Sequence, residues 1–349
     1  VVRGLERYEA INRGDAVAKF QILRRIEVDE LREWLDSGEK GEGRLETLWE
    51  LHGQYKKEFA RLLKEEGNNP EFLNTPTASP SFLQLKLALL KEMLKSCNFC
   101  ERRCGVNRYE KVGFCRCGVT SFYSSEFLHF GEEPELVPSH TIFFNRCTFA
   151  CVFCQNFDIV YRNDGRADPE ELARIIDVRF RQGSRNVNFV GGNPDQHAHT
   201  ILEILSSVES NVPVVWNSNM YHSTELHEII EDIVDVWLGD FKYGNDECAK
   251  HYSNVRNYWE VVTRNFAMAD KTGELLIRHL VMPGHIECCT AKIVEWVAEN
   301  LGREVRFNLM FQYYPTFKAY EYPEIARRLS GAEMRRAMEV ASSKLTNLV

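Results

Sequence analysis

The chain predicts an α/β fold, a partial (β/α)6 barrel with a helical N-terminal extension, and three observations carry that prediction. From Thr141 onward six short apolar runs alternate with amphipathic helical stretches. The polar residues that could do chemistry collect at the same end of each run. The first 95 residues carry helical periodicity alone.

The extension, residues 1–95, reads as helices over Glu27–Leu35, Arg44–His52 and Ser81–Lys95. Gly38, Gly41 and Gly43 punctuate them, Gly67-Asn-Asn-Pro70 is a stop, and Pro76 and Pro80 mark a linker. A Cys-rich segment, 96–120, follows. The barrel is expected over 121–335 and a C-terminal helix over 336–349. Within the barrel the apolar runs are Thr141–Phe144, Asn186–Val190, Pro213–Trp216, Asp235–Gly239, Leu275–Val281 and Val305–Met310. Helical stretches at Pro169–Gln182, Thr200–Ser207, Thr224–Ile233 and Thr290–Asn300 alternate with them. An open six-stranded parallel sheet satisfies the same pattern.

The runs lead into Cys147, Gly191-Gly192-Asn193, Asn217-Ser-Asn219, Asp240-Phe-Lys242, Pro283-Gly284 and Gln312-Tyr-Tyr314. Barrel active sites lie at the C-terminal ends of the strands, so one face should gather all of these groups.

Composition narrows the class. The chain has 349 residues, 44% apolar and 27% charged, which is the make-up of a globular protein. A net charge of −8 gives no general nucleic-acid surface. No membrane-spanning run and no signal segment appears, so the cytoplasm is the expected location. The chain opens on Val1 rather than Met, which points to residues upstream. Eight of the eleven cysteines fall between Cys97 and Cys154, a clustering that suits metal binding in a reducing compartment better than a disulfide framework.

The most informative motif is Cys147-x3-Cys151-x2-Cys154. Three thiolates on one loop can hold three irons of a [4Fe–4S] cluster and leave the fourth open, with S-adenosylmethionine (SAM) the natural exogenous ligand. A structural zinc site would want a fourth protein ligand, and this loop has none. Phe153 offers an aromatic face for adenine. Gly191 and Gly192 allow close backbone approach to an amino-acid moiety whose ammonium meets carbonyls or the Asn193 amide. Asp240 and Lys242 share one strand face; with Asn217 and Asn219 they are expected to orient the SAM carboxylate or ribose, or a substrate. Such polar residues also serve as ordinary caps.

A second set, Cys97, Cys100, Cys104 and Cys115 with Cys117 in reserve, reads as a site for zinc or a second iron–sulfur cluster. Cys288 and Cys289 follow the Pro283-Gly284 turn; they read as structural cysteines or, more sharply, as hydrogen-atom donors to a substrate radical, while Cys248 reads as structural. His197, His199, His222, Tyr221, Tyr313 and Tyr314 are candidates for substrate contact, each equally at home packed or solvated. One member of Arg278-His279 must face the barrel interior and needs an anionic partner there, the SAM carboxylate or a substrate.

These residues resemble the radical SAM superfamily, and within it the PflX-like branch related to pyruvate formate-lyase activating enzyme. The matching text is Cys97-x2-Cys100-x3-Cys104, Gly113-Phe-Cys115, His129-Phe-Gly-Glu-Glu-Pro134, Thr141-Ile-Phe-Phe144, Cys151-Val-Phe-Cys-Gln-Asn156, Asp240-Phe-Lys-Tyr243, Ile277-Arg-His-Leu-Val-Met-Pro-Gly284 and Gln312-Tyr-Tyr-Pro315. It covers roughly residues 95–335 and leaves the N-terminal helices outside. The resemblance implies a partial (β/α)6 radical SAM barrel with a SAM-chelated [4Fe–4S] cluster. The family's glycine motif usually ends in Glu, where this chain has Asn193. In activating enzymes acids and a lysine after strands three and four order the SAM carboxylate, partly through a monovalent cation. Asp240 and Lys242 match that pattern, and Asn217 stands where an acid is expected.

The expected activity is reductive cleavage of SAM to a 5′-deoxyadenosyl radical that takes a hydrogen atom from a substrate the sequence leaves open, a protein among the candidates. The electron donor would be a ferredoxin or flavodoxin. Activation of a glycyl-radical enzyme and a non-catalytic iron–sulfur or zinc protein that binds a partner or carries electrons are the alternatives.

Overall fold

The computed structural model describes residues 4–36 and 44–349. The expected punctuation at Gly38, Gly41 and Gly43 lies outside them. Eight strands form one sheet: β1 Phe122–His129, β2 Ser139–Phe144, β3 Gly165–Arg166, β4 Asn186–Gly191, β5 Val214–Ser218, β6 Val236–Asp240, β7 Glu274–Leu280 and β8 Arg306–Met310. Their order is β3-β1-β2-β4-β5-β6-β7-β8. All pairings from β2 through β8 are parallel, so the six apolar runs are the six parallel strands of a partial barrel. Parallel strands buried on both faces read as apolar runs, and β5 is buried at every position.

Two antiparallel strands, β1 and β3, extend the sheet beyond β2. At the other edge the chain end adds itself to β8: Phe307 N–H bonds to Asn347 O at 3.1 Å, and Val349 N–H to Phe307 O at 2.9 Å. The last helix therefore runs Gly331–Lys344, not 336–349. A capping box of Ser330 and Glu333 starts it early, and Leu345, in extended conformation, ends it.

Further helices follow strands at Pro169–Arg181, Ala198–Leu205, Thr224–Ile230, Asp246–Ser253, Tyr258–Thr272 and Ala291–Asn300. In the extension, Arg44–Glu66 is far longer than its expected first turns, and Phe82–Met93 packs between it and Ala198–Leu205. Ser81 caps Phe82–Met93 reciprocally with Gln84.

The extension closes the bottom of the barrel. Leu5 and Tyr8 join Leu136, Val215, Val236, Leu238 and Leu276 in one fully buried apolar cluster. The Glu274 carboxylate, at the start of β7, accepts the N–H groups of Arg7 (2.6 Å) and Tyr8 (2.7 Å). The buried Lys19 ammonium donates to the carbonyls of Glu231 (3.0 Å), Val234 (2.7 Å) and Thr272 (2.5 Å). Asn186, at the start of β4, donates to Tyr8 Oη at 2.9 Å. Polar groups can be buried this deeply because each has partners. No helix among the described residues is long and apolar enough to cross a membrane.

Candidate functional site

At the opposite end, where the parallel strands finish, lies a cavity of about 590 Å³. Cys147, Cys151, Cys154, Phe153, Gly191, Gly192, Asn193, Asn217, Asn219, Asp240, Lys242 and Arg278 all contribute to its wall. The structure thus brings together every residue expected to bind the cluster or SAM.

The cysteine loop is fixed from several sides. Phe149 N–H points at Cys147 Sγ (3.3 Å) and Ser253 Oγ at Cys151 Sγ (2.8 Å). Backbone bonds from Ala150 to Ser253 O (3.1 Å) and Val152 to Tyr252 O (2.8 Å) dock the loop onto Asp246–Ser253. Arg102, from the Cys-rich segment, donates to Thr148 O at 2.7 Å. Gly191 and Gly192 have a specific steric reason. Gly191 has φ +113°, and a Cβ there would lie 2.2 Å from Phe144 O; at Gly192 it would lie 1.7 Å from Arg146 O. The glycine pair therefore lets the cysteine loop cross β4.

Burial pushes all three thiols up, Cys154 to about 12, and Cys151 raises both Cys147 and Cys154 further. Three half-buried, mutually repelling thiols favour a cationic iron centre as the group that makes them thiolates. Among the described residues these sulfurs do not close to within 4.8 Å of one another, as the ligands of one ion would. No other cysteine lines the cavity. The donor set fits a cluster with one iron left free.

The other side chains divide into engaged and available. Asn193 accepts Asn219 N–H (3.0 Å) and donates to Gln196 (3.2 Å), so its amide ties β4 to β5 and does not await an ammonium. Asn219 donates to Thr148 Oγ1 (2.9 Å) and points at Cys147 Sγ (3.8 Å), supporting the loop. Phe153 meets Tyr243 and Tyr313 edge to face. Lys242 is bonded to Asp240 at 2.7 Å. Burial alone would lower this lysine, but Asp240 and then Cys151 hold it above its ordinary value, a cation beside the sulfurs. Asn217 is buried in the wall with no hydrogen bond to its side chain among the described residues, and so is free to meet a ligand.

Arg278 corrects an expectation. Its guanidinium is held by Glu133 (Nε–Oε1 2.6 Å) and by Glu132, both on the loop after β1. Asn308 also donates to Glu133 at 2.7 Å. Its anionic partners in the structure are thus within the chain. His279 points to the other face, between Phe241 O (2.7 Å) and Thr290 Oγ1 (2.8 Å). Glu132, Glu133, Asn308 and Ser253 were missed by sequence reasoning; only His129-Phe-Gly-Glu-Glu-Pro134 carried a signal, and it assigned no role.

Cys288 and Cys289 are absent from the cavity wall. The Pro283-Gly284 turn leads into a π-turn, Ile286–Thr290, packed so tightly on Gly244 that a Cβ there would lie 2.6 Å from Cys288 O. Neither therefore faces this cavity, where a hydrogen donor would have to stand. His197, His199, His222, Tyr221, Tyr313 and Tyr314 are also outside it. His197 bonds Ser121 and Asn145 O, His199 bonds Val119 O, and His222 bonds His227. Tyr221 and Tyr313 donate to carbonyls, and Tyr314 lies at the surface.

The Cys-rich segment lies against the cysteine loop; Cys115 and Cys147 border one small cavity of about 180 Å³. Its thiols interact as pairs: Cys97 holds Cys104 down to about 5, and Cys117 holds Cys115 down to about 6. Cys100 is pushed up to about 12 by burial. Among the described residues no three of these sulfurs converge within 4.8 Å.

A parallel barrel with three unpaired thiols on the loop after its first parallel strand defines a class: barrels that can hold an iron–sulfur centre beside a small-molecule cavity. Residues 141–297 match the family model of the radical SAM superfamily, so the chain carries a domain of that superfamily. That family implies a [4Fe–4S] cluster and SAM. The chain is 45% identical to an uncharacterized protein of Methanocaldococcus jannaschii, with 99% of each chain covered. Among solved structures, Streptococcus suis SuiB bound to S-adenosylmethionine is 15% identical with a TM-score of 0.46, covering 58% of this chain and 47% of SuiB. Methylornithine synthase (PylB) is 14% identical with a TM-score of 0.42, covering 76% of this chain and 74% of that one.

Proposed function

We propose that the chain abstracts a hydrogen atom from a substrate admitted to this cavity, with Cys147, Cys151 and Cys154 holding the cluster. The single observation behind this reading is the three half-buried thiols spread around the wall of one cavity that, among the described residues, no fourth cysteine lines. When bound, the cluster supplies an open iron for SAM and the electron whose transfer releases a 5′-deoxyadenosyl radical. The protein's part is binding and orientation. The ionisable wall residues from the strand ends and the loop after β1 include three carboxylates, Glu132, Glu133 and Asp240, against two cations, Lys242 and Arg278. That excess favours a cationic guest such as a sulfonium. Asn217 offers its amide to the guest's polar groups, and Lys242 offsets thiolate charge.

The reductant is a separate low-potential protein of the ferredoxin or flavodoxin kind. The Cys97, Cys100, Cys104 and Cys115 set is read as the seat of a second cluster, with zinc the alternative that four thiols on one segment also suit. Iron counted on a Cys147→Ala, Cys151→Ala, Cys154→Ala chain tests this: residual iron supports it, and none refutes it.

The main reading is tested anaerobically with reconstituted, reduced protein and SAM. 5′-Deoxyadenosine should accumulate, and should vanish in Cys154→Ala. A wild-type chain with full iron content that releases none would refute the reading.

A further inference from the structure

Outside the cavity a second group of soft ligands converges. Cys248 lies on Asp246–Ser253, and His285 and Cys288 lie at the π-turn after β7. The Sγ atoms of Cys248 and Cys288 and a ring nitrogen of His285 lie within 4.8 Å of one another. Among the described residues no other such group closes this far. Around one tetrahedral zinc, with bonds of about 2.0–2.3 Å, ligand atoms sit roughly 3.5–4 Å apart. Small side-chain rotations bridge the difference. Cys289 Sγ is 4.0 Å from Cys288 Sγ and is the nearest source of a fourth ligand.

The surroundings are those of a metal site. His285 Nδ1 donates to Pro283 O at 2.7 Å, which leaves the lone pair on Nε2. The ring is braced edge-on by Tyr252. Asn245 caps the Cys248 helix by accepting Cys248 N–H at 2.8 Å. Its amide then donates to Cys288 O (3.0 Å) and points at Cys289 Sγ (3.8 Å). One side chain thus joins both ligand-bearing segments. All the cysteines are unpaired, and Cys248 and Cys288 are half-buried, so an ion can enter.

We propose that Cys248, Cys288 and His285, with Cys289 beside them, form a mononuclear zinc site. The site pins the segment after β7 to the helix that carries Ser253, whose hydroxyl meets Cys151 Sγ. It braces the cysteine loop from behind and takes no part in the reaction.

The test uses the wild-type full chain stripped of zinc, so no variant need fold. Iodoacetamide labelling of each cysteine is followed by peptide mass spectrometry, with and without one added equivalent of Zn²⁺. Zinc should slow labelling of Cys248 and Cys288 together by about tenfold or more. In His285→Gln that protection should shrink at both. Equal labelling rates with and without zinc, or protection confined to the Cys97–Cys117 segment, would overturn the site. 5′-Deoxyadenosine release is not the readout, so failure here leaves the proposed reaction standing, and the converse.

Discussion

The two ends of this barrel are built from the same strands and do opposite things. At the bottom, Leu5 and Tyr8 fill the lumen, and buried charges have internal partners: Glu274 takes two backbone N–H groups and Lys19 donates to three carbonyls. At the top, the strands end around an open cavity lined by free thiols, an ion pair and an amide with no partner among the described residues. The closed end carries stability, and the open end carries chemistry. Arg278 is the exception: it stands at the open end, yet its two glutamates make it a structural residue.

Substitutions can break this division, and the largest effect belongs to the open end. Cys154→Ala should bring 5′-deoxyadenosine to background and lower bound iron while the melting temperature of the metal-free chain hardly moves. Comparable loss of melting temperature would mean the loop is structural. Next is Arg278→Ala, which leaves Glu132 and Glu133 facing each other; chemical denaturation should register a loss of about 3–5 kcal/mol. A loss below about 1 kcal/mol would place this arginine with the open end after all. Tyr8→Ala should cost about 3–4 kcal/mol by denaturation, with 5′-deoxyadenosine per folded chain unchanged.

Glu274 gives a pH signature for the closed end. Burial raises its carboxyl to about 7 from 4.5, against the pull of the Tyr8 and Arg7 N–H groups. Its folded pKa exceeds the unfolded one, so its contribution is complete below pH 4.5 and is lost as pH rises through about 7. That loss is at most about 3 kcal/mol. Denaturation of wild type against Glu274→Gln across this window should show the slope only in wild type. Asn217→Ala is the smallest expected effect: SAM affinity by calorimetry should fall about fivefold, with unchanged melting temperature.

Much of this was legible in the sequence because parallel strands buried on both faces leave apolar runs, and each run's end marks the site. β1 and β3 were not legible. β1 reads Phe-Tyr-Ser-Ser-Glu-Phe-Leu-His with no buried face, and β3 is two residues long. The three-cysteine spacing placed the loop, but Arg278's partners lie 145 and 146 residues away, and local pattern carries no such pairing. Cys288 and Cys289 misled because the strand-end rule applies to residues that stay at the mouth. Here the Gly284 turn carries the chain behind Gly244. The plugging role of the N-terminal helices was invisible for the same reason as the Arg278 pair: Glu274 and Arg7 are 267 residues apart.

The central claim is an iron site left free by three sulfurs. Electron paramagnetic resonance of the reduced, reconstituted chain, recorded before and after SAM is added, tests it most directly. The account predicts a changed cluster signal in wild type. Superimposable spectra at saturating SAM would contradict it.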